Sequence, residues 1–209
     1  MCTFKRAAVS NWELYRSFHE SGSREEYIEY LAKIKSDLLI VREKEMGEEE
    51  YLKFFLALWE RCGRSQKNRE GSLIIPHRYL SAVYQTGCSC VHLPLSWFRT
   101  YREAEKLVGI ETIGVSVHSV KEAEEAEKLG ASYLTAGHVF ATDCKRGLPP
   151  RGLEFLEEIC NSVTVPVYAI GGIHPGNLWK IKETKAAGAC MMSEYMKREC
   201  LPVFPFTFL

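Results

Sequence analysis

Short apolar runs alternate with longer stretches of helical spacing along almost the whole chain. The short runs are rich in β-branched and aromatic residues, as buried strands are, and the longer stretches place apolar residues three and four positions apart, as amphipathic helices do. Several of these stretches end at a glycine, a common helix stop. Eight strands are predicted, at residues 4–10, 37–42, 72–75, 88–93, 112–116, 132–136, 165–170 and 189–193. Seven helices are predicted between them, at residues 24–35, 48–63, 78–87, 98–108, 120–129, 151–161 and 175–187.

This alternation predicts an α/β fold, and eight strand-helix units are the number in a (β/α)8 TIM barrel. An open dinucleotide-binding sheet is disfavoured, because no glycine-rich fingerprint follows the first strand. The eighth helix is predicted to be short and irregular, since only residues 194–200 can be helical before Pro202 and Pro205. We expect the aromatic tail at residues 203–209 either to close the barrel or to pack on a second subunit, giving a homodimer. No linker divides the chain, so residues 1–209 are predicted to form a single domain.

Composition narrows the class of protein. Hydrophobic residues make up 46% of the chain and charged residues 26%, as in ordinary globular proteins. The 27 basic residues balance the 27 acidic ones, which argues against nucleic-acid and membrane surfaces and favours a small-molecule partner. The eight cysteines are scattered, lack the spacing of a metal site, and follow no apolar signal segment. We therefore expect a cytoplasmic protein with free thiols and no metal.

The loops after the last two predicted strands carry a candidate phosphate site. Gly171 and Gly172 follow the seventh strand, and Met192 and Ser193 stand at the end of the eighth. In TIM barrels these loops are the usual phosphate site, where glycines let backbone N–H groups approach an anion and a hydroxyl adds a donor. The alternative is that the two glycines only make a tight turn into the next helix.

Basic and imidazole side chains at other strand ends are candidates for chemistry, because barrel enzymes keep their active sites there. His138 follows the sixth strand, with Lys145 further along the same loop, and Arg42 and Lys44 follow the second strand. The alternative for His138 is a strand-end histidine hydrogen-bonded to a carbonyl. The alternative for the two basic residues after strand two is a salt-bridged barrel rim. The sequence leaves open which way His92 points from the fourth strand.

Five motifs follow one another along the predicted strands and their ends. They are Val41-Arg42-Glu43-Lys44, Gly114-Val115-Ser116-Val117-His118-Ser119, Gly137-His138-Val139-Phe140 continuing through Lys145, Pro150-Arg151-Gly152-Leu153 and Ala169-Ile170-Gly171-Gly172-Ile173. In this order they resemble the superfamily of thiamine phosphate synthases and thiazole tautomerases, over about residues 37–193. The resemblance implies a small TIM barrel that binds a phosphorylated thiazole, with Ser116 helping to orient it.

The resemblance also implies what a synthase needs. Synthases of this superfamily bind a pyrimidine pyrophosphate with magnesium, through an Asn-Asp-Arg run after strand three and a Gly-Gln-x-Asp run after strand four. Here these stretches read Ile75-Pro76-His77-Arg78 and Leu93-Pro94-Leu95-Ser96-Trp97, and the glutamine expected two residues before Arg42 is Ile40. Magnesium prefers hard oxygen ligands, so an imidazole and an indole in place of two carboxylates argue against the metal site and against synthase activity.

The tautomerases carry a histidine in the Gly-His-Val-Phe position, and His138 matches it. The resemblance therefore implies a thiazole tautomerase, an isomerase of thiamine biosynthesis that uses no cofactor and converts a non-aromatic carboxythiazole phosphate into its aromatic tautomer. In this hypothesis His138 moves the proton as general acid and base. The substrate phosphate is assigned to Gly171, Gly172, Met192 and Ser193, and the rest of the substrate to Arg42, Lys44, Ser116 and Lys145.

Three alternatives stay open. A non-catalytic or regulatory barrel would bind a thiazole phosphate without exchanging its proton. A residual thiamine phosphate synthase with a different metal arrangement would form thiamine phosphate with magnesium. A barrel isomerase or aldolase would use Lys145 to form a Schiff base, which borohydride would trap.

Overall fold

The eight strands form one parallel sheet that curls into a nearly closed barrel. A computed structural model describes residues 3–19, 22–145 and 147–197. The strands are β1 (Lys5–Val9), β2 (Leu38–Val41), β3 (Leu73–Pro76), β4 (Cys90–Pro94), β5 (Thr112–Val117), β6 (Tyr133–Gly137), β7 (Val167–Ile170) and β8 (Gly188–Met191). The helices are α1 (Trp12–Phe18), α2 (Arg24–Ala32), α3 (Glu48–Arg61), α4 (Leu80–Thr86), α5 (Leu95–Glu103), α6 (Val120–Lys128), α7 (Gly152–Ser162), α8 (Leu178–Lys182) and α9 (Ser193–Met196), with a 3₁₀ turn at Asp143–Lys145. The prediction of a TIM barrel is confirmed.

The strand order runs β3-β2-β1-β8-β7-β6-β5-β4, so the first and last strands are neighbours. Between β3 and β4 the pairing is reduced to one parallel bridge, between His77 and His92. The backbone N–H of Arg78 donates to the His92 carbonyl at 2.9 Å. The two outer strands of the sheet are therefore joined at their carboxyl ends.

Continuous apolar runs explain why the strands could be found from the sequence. β2 reads Leu-Leu-Ile-Val and is buried along its whole length, as expected for a parallel strand whose two faces are both covered. Every predicted strand is present, with its bounds within two residues of the prediction. The observed bounds of the helices differ more from the predicted ones. The stretch predicted to be helical at 175–187, for example, holds only the short α8.

Helix α1 was not predicted. Asn11 caps it, with the side chain accepting the Leu14 N–H at 2.7 Å. Glu43, which follows β2, accepts the Trp12 N–H at 2.8 Å and the Ser10 hydroxyl at 2.6 Å. A short helix that is held by a carboxylate distant in sequence leaves little trace in local periodicity.

The end of the chain is described only in part. Helix α9 has four residues, in agreement with a short final helix. The predicted continuation to residue 200 and the aromatic tail at 203–209 lie outside the described residues. Within the described ranges, no helix has the length and apolar character needed to cross a membrane.

Candidate active site

The carboxyl ends of the strands lie together at one end of the barrel, called here the barrel mouth. Parallel strands that are joined by helices place all these ends on the same side. Arg42 follows β2, His77 follows β3, Ser116 lies near the end of β5, and Ser193 follows β8. The topology therefore brings most of the sequence-predicted site residues to one face.

A group of hydrogen-bonded side chains lies inside the barrel just below the mouth. The Nδ1 of His92 is 3.0 Å from the Tyr133 hydroxyl, and its Nε2 is 2.9 Å from the Ser116 hydroxyl. Thr135 donates to the same Ser116 oxygen at 3.1 Å. His92 therefore points inward, which the sequence did not decide. Burial, and after it the charge of Arg42, lower the pKa of His92 to about 3, so this imidazole is neutral at pH 7.

A second imidazole and two arginines lie at the mouth beside His92. The His77 ring is stacked on His92, with centroids 5.8 Å apart. Burial, followed by the charges of His92, Arg42 and Arg78, holds the pKa of His77 well below its ordinary value. Both guanidinium charges thus act on the same neutral ring. In the part of the chain that the structure describes, neither arginine forms an ion pair.

Arg78 is held by aromatic rings. Its guanidinium carbon lies 4.5 Å from the ring centroid of Trp97 and 5.0 Å from that of Tyr79, which is a cation–π arrangement. The backbone turns at Arg78 with φ +73°. Its Nε is buried and has no hydrogen-bond partner among the described residues. The guanidinium therefore keeps one donor that no described residue satisfies. Sequence reasoning did not assign this residue to the site, although it stands at the place of the arginine in the Asn-Asp-Arg run of the resemblance.

The two glycines after β7 are required by packing. At Gly171, where φ is +101°, an added Cβ would lie 2.7 Å from the Cα of His138. At Gly172, where φ is +65°, it would lie 2.8 Å from the Cβ of Phe140. The loop after β6 therefore packs directly on the loop after β7, and only glycine fits at either position.

Backbone N–H groups at this side of the mouth are available to an anion. Among the described residues, the N–H groups of Gly172, Ile173 and Ser193 have no acceptor. Met192 and Ser193 are half-buried at the start of α9. This arrangement agrees with the phosphate site predicted at Gly171, Gly172, Met192 and Ser193, which stays a prediction.

His138 is buried beneath the loop that follows it. The ring Nε2 lies 3.4 Å from the Leu148 carbonyl, a weak contact, and the His138 carbonyl accepts the Arg151 N–H at 3.0 Å. This is the environment of the alternative considered above, a strand-end histidine beside a carbonyl. His118 contacts the same strand end, with its Nδ1 2.9 Å from the Gly137 carbonyl.

The two predicted lysines are not gathered with the other site residues. The Lys44 side chain is 70% exposed and its Nζ lies 3.9 Å from Glu45. Lys145 is exposed on the 3₁₀ turn after β6. Of the predicted substrate contacts, Ser116 is hydrogen-bonded to His92, and the charge of Arg42 contributes to the lowered pKa of that imidazole.

The donor set at the mouth does not suit magnesium. The positions after β3 and β4 hold His77 and Trp97, and the carboxylate of Glu43 is buried, where it accepts hydrogen bonds from Ser10, Trp12 and Tyr27. Burial raises the pKa of Glu43, and its three donors oppose that shift. The described residues contain no group of three or more His, Cys, Asp or Glu side chains that could hold a metal ion. Magnesium needs oxygen ligands, so the residues present do not fit it.

Comparison with known proteins shows that this chain is similar to thiamine phosphate synthases. The family model described as thiamine monophosphate synthase matches residues 16–195. A thiamine-phosphate synthase of Fusobacterium nucleatum is 34% identical over 170 residues, covering 80% of each chain. One from Syntrophomonas wolfei is 32% identical over 197 residues, covering 90% of each chain.

Solved structures also resemble this chain. The thiamine phosphate pyrophosphorylase of Pyrococcus furiosus superposes with a TM-score of 0.72 at 26% identity, covering 95% of this chain and 90% of that one. A 3-hexulose-6-phosphate synthase superposes with a TM-score of 0.62 at 15% identity, covering 91% of both chains. The second similarity concerns the fold alone.

These findings overturn the tautomerase hypothesis. The matching family and the named relatives are synthases, and the thiazole tautomerase branch is not among them. The hypothesis relied chiefly on the match at His138 and on the missing synthase motifs, and the isomerase role of His138 is withdrawn with it. The expectation that synthase activity is improbable is contradicted as well. It relied on missing motif residues, whereas most of the chain is similar to synthases.

Proposed function

Because the chain belongs to the thiamine monophosphate synthase family, we propose that it forms thiamine phosphate from a pyrimidine pyrophosphate and a phosphorylated thiazole. The observation that carries this proposal is the similarity to the two bacterial synthases, at 32% and 34% identity over 80–90% of the chain. The family match includes β2 to β8 and every loop between them. The proposed activity is therefore a transferase reaction.

The reaction separates charge at the barrel mouth. A C–N bond forms between the pyrimidine methylene carbon and the thiazole nitrogen, while the C–O bond to pyrophosphate breaks and its electron pair leaves with the pyrophosphate. The leaving group gains negative charge in the transition state, which fixed cations stabilise. Arg42, which has no ion pair among the described residues, is placed to supply such a cation.

The thiazole phosphate is assigned to the opposite side of the mouth. The N–H groups of Gly172, Ile173 and Ser193 and the Ser193 hydroxyl offer donors to a phosphate there. Between the two sides, neutral His92 holds the Ser116 hydroxyl at 2.9 Å. When neutral His92 carries its proton on Nε2, Ser116 accepts from both His92 and Thr135, and its own hydroxyl proton is left for a substrate oxygen.

A second candidate function has one observation in its favour. His77 and Trp97 stand where the family resemblance implies metal-binding carboxylates. A barrel that binds a phosphorylated thiazole without turnover would tolerate both substitutions. The assay described next separates the two candidate functions.

The test is formation of thiamine phosphate from both precursors, followed by product chromatography and by pyrophosphate release. We expect turnover by the wild type. Arg42→Gln should lower kcat/KM about tenfold to a hundredfold, the range for a lost charge-assisted contact. Arg102→Gln is the matched control, because this arginine also lies over a ring, Phe98 at 5.4 Å, but on α5 away from the strand ends. It should keep wild-type turnover.

Absence of thiamine phosphate under all conditions would refute the proposal. If the wild type then still bound the phosphorylated thiazole in calorimetry, the second candidate would replace it. A wild-type rate in Arg42→Gln would instead remove Arg42 from the site while leaving the activity in place.

A further inference from the structure

The β2–β4 side of the mouth, defined here by Arg42, His77, Arg78 and Trp97, combines two cations with no carboxylate. From this combination we infer that the chain binds the pyrophosphate group of its substrate directly through Arg42 and Arg78, without a divalent cation. The inference rests on the proposed function for the identity of the ligand, and on the structure for the site and its independence from metal.

The first support is the set of donor atoms. His77 and Trp97 present an imidazole and an indole at the ends of β3 and β4, and neither supplies the oxygen atoms that magnesium prefers. The nearest carboxylate along the chain, Glu43, accepts three hydrogen bonds from Ser10, Trp12 and Tyr27 and is buried. It is therefore occupied by the fold.

The second support is the pair of arginines. Arg42 and Arg78 follow neighbouring strands, since Val41 at the end of β2 pairs with Pro76 at the end of β3. Both charges lower the pKa of His77, and neither arginine has an ion pair in the described ranges. Two positive charges that share a site repel a metal dication and attract a polyanion. Guanidinium groups also match phosphate oxygens with two parallel donors, which a single metal ion does not offer.

The third support is the way Arg78 is held. The ring centroids of Trp97 and Tyr79 lie 4.5 Å and 5.0 Å from its guanidinium carbon. Trp97, which replaces a carboxylate in the resemblance, thus orients a cation in this chain. The Nε of Arg78 is buried with no partner among the residues described. A buried donor of this kind is costly unless a ligand satisfies it.

Binding of inorganic pyrophosphate, measured by titration calorimetry in EDTA and in excess magnesium, tests the inference. We expect wild-type binding in EDTA, with a Kd that magnesium lowers by less than about threefold. Arg78→Gln should weaken binding in EDTA at least about tenfold, the loss of one charge-assisted contact. Arg102→Gln is the control, because Arg102 also lies over a ring and also has a buried, unpartnered Nε in the described structure. Its Kd should stay within about twofold of wild type.

A second variant asks whether carboxylates would restore metal dependence. His77→Asp combined with Trp97→Asp adds two oxygen ligands and removes the ring beneath Arg78. In EDTA this variant should bind pyrophosphate at least about tenfold more weakly than the wild type, and magnesium should recover most of the loss. Unfolding curves for each variant confirm that the comparison is made on folded protein.

The outcomes separate this inference from the proposed function. Wild-type binding that disappears in EDTA and returns with magnesium would overturn the inference, even if thiamine phosphate is formed. No pyrophosphate binding in either buffer would overturn it as well. Arg78-dependent binding in EDTA without any thiamine phosphate formation would support the anion site and refute the proposed function.

Discussion

The two sides of the barrel mouth offer donors to an anion by different means. On the β7–β8 side, the donors are backbone N–H groups of Gly172, Ile173 and Ser193. On the β2–β4 side, they are the side chains of Arg42 and Arg78. The β7–β8 side is called here the backbone-built side, because the path of the chain fixes its donors. The β2–β4 side is called the side-chain-built side, because its donors can be changed by substitution without moving a strand.

This difference determines how readily each side can change. Gly171 and Gly172 are required because the loop after β6 packs on them, so the motif persists as long as the fold does. At the ends of β3 and β4, an imidazole and an indole occupy positions where the resemblance implies carboxylates, and the strands still form. The reaction assigned from His138, which follows β6, was wrong because the family and the named relatives are synthases.

The largest effect is expected from disrupting the backbone-built side with Gly171→Ala. The added methyl would lie 2.7 Å from the Cα of His138, at φ +101°. Backbone strain and overpacking each cost roughly 1–3 kcal/mol, so we expect the free energy of unfolding to fall by about 3 kcal/mol or more. Urea denaturation measures the loss.

Gly109→Ala separates the two contributions. Gly109 has φ +82° and no atom within 4 Å of its added Cβ, so only the strain remains, about 1 kcal/mol. Equal losses in the two variants would show that the loops after β6 and β7 do not constrain each other.

The next largest effect is expected on acidification, which should lower the free energy of unfolding through His92, beside the side-chain-built side. The pKa of His92 is about 3 in the folded protein, against about 6.5 in an unfolded chain. Its contribution to stability is complete above pH 6.5 and is lost as the pH falls through 6.5 towards 3. Each pH unit in this window costs roughly 1.4 kcal/mol, so about 2 kcal/mol should be lost between pH 7.5 and pH 5.

Urea unfolding of wild type and His92→Gln at the two pH values measures this contribution. The variant should lose about 2 kcal/mol less than the wild type on acidification. His174→Gln removes an exposed histidine from the loop after β7 and should keep the wild-type pH dependence. If His92→Gln does not fold, proton NMR titration of His92 in the wild type gives the same answer, and a folded-state pKa near 6.5 would contradict the expectation.

The fold could be predicted because the signals for parallel strands are local. Each strand is a short apolar run, as in the fully buried β2, and a helical stretch separates most of these runs. Helix α1 escaped prediction because a distant residue, Glu43, holds its first N–H group. The aromatic tail lies outside the described residues, so its expected role stays a prediction.

The residues of the site could be predicted only where the strand topology alone determines their position. Arg42, Ser116 and Ser193 follow or end strands, and the rule for barrels places them at the mouth. The inward direction of His92 depends on its register opposite Gly114 on β5, which no local pattern gives. The stacking of Arg78 on Trp97 joins the end of β3 to the start of α5 through a left-handed turn, and sequence reasoning had no access to that contact.

The smallest effect should come from removing one hydroxyl from the backbone-built side. Because unpartnered N–H groups supply most of the donors there, Ser193→Ala should weaken binding of the phosphorylated thiazole only roughly threefold, the range for one neutral hydrogen bond. Calorimetry with the phosphorylated thiazole and with its unphosphorylated alcohol measures the loss, and Ser162→Ala on α7, whose hydroxyl donates to the Ile159 carbonyl, is the control. Equal weakening for both ligands would place Ser193 outside the phosphate site. A loss as large as that of Arg42→Gln would show that side chains, and not the backbone, dominate on both sides of the mouth.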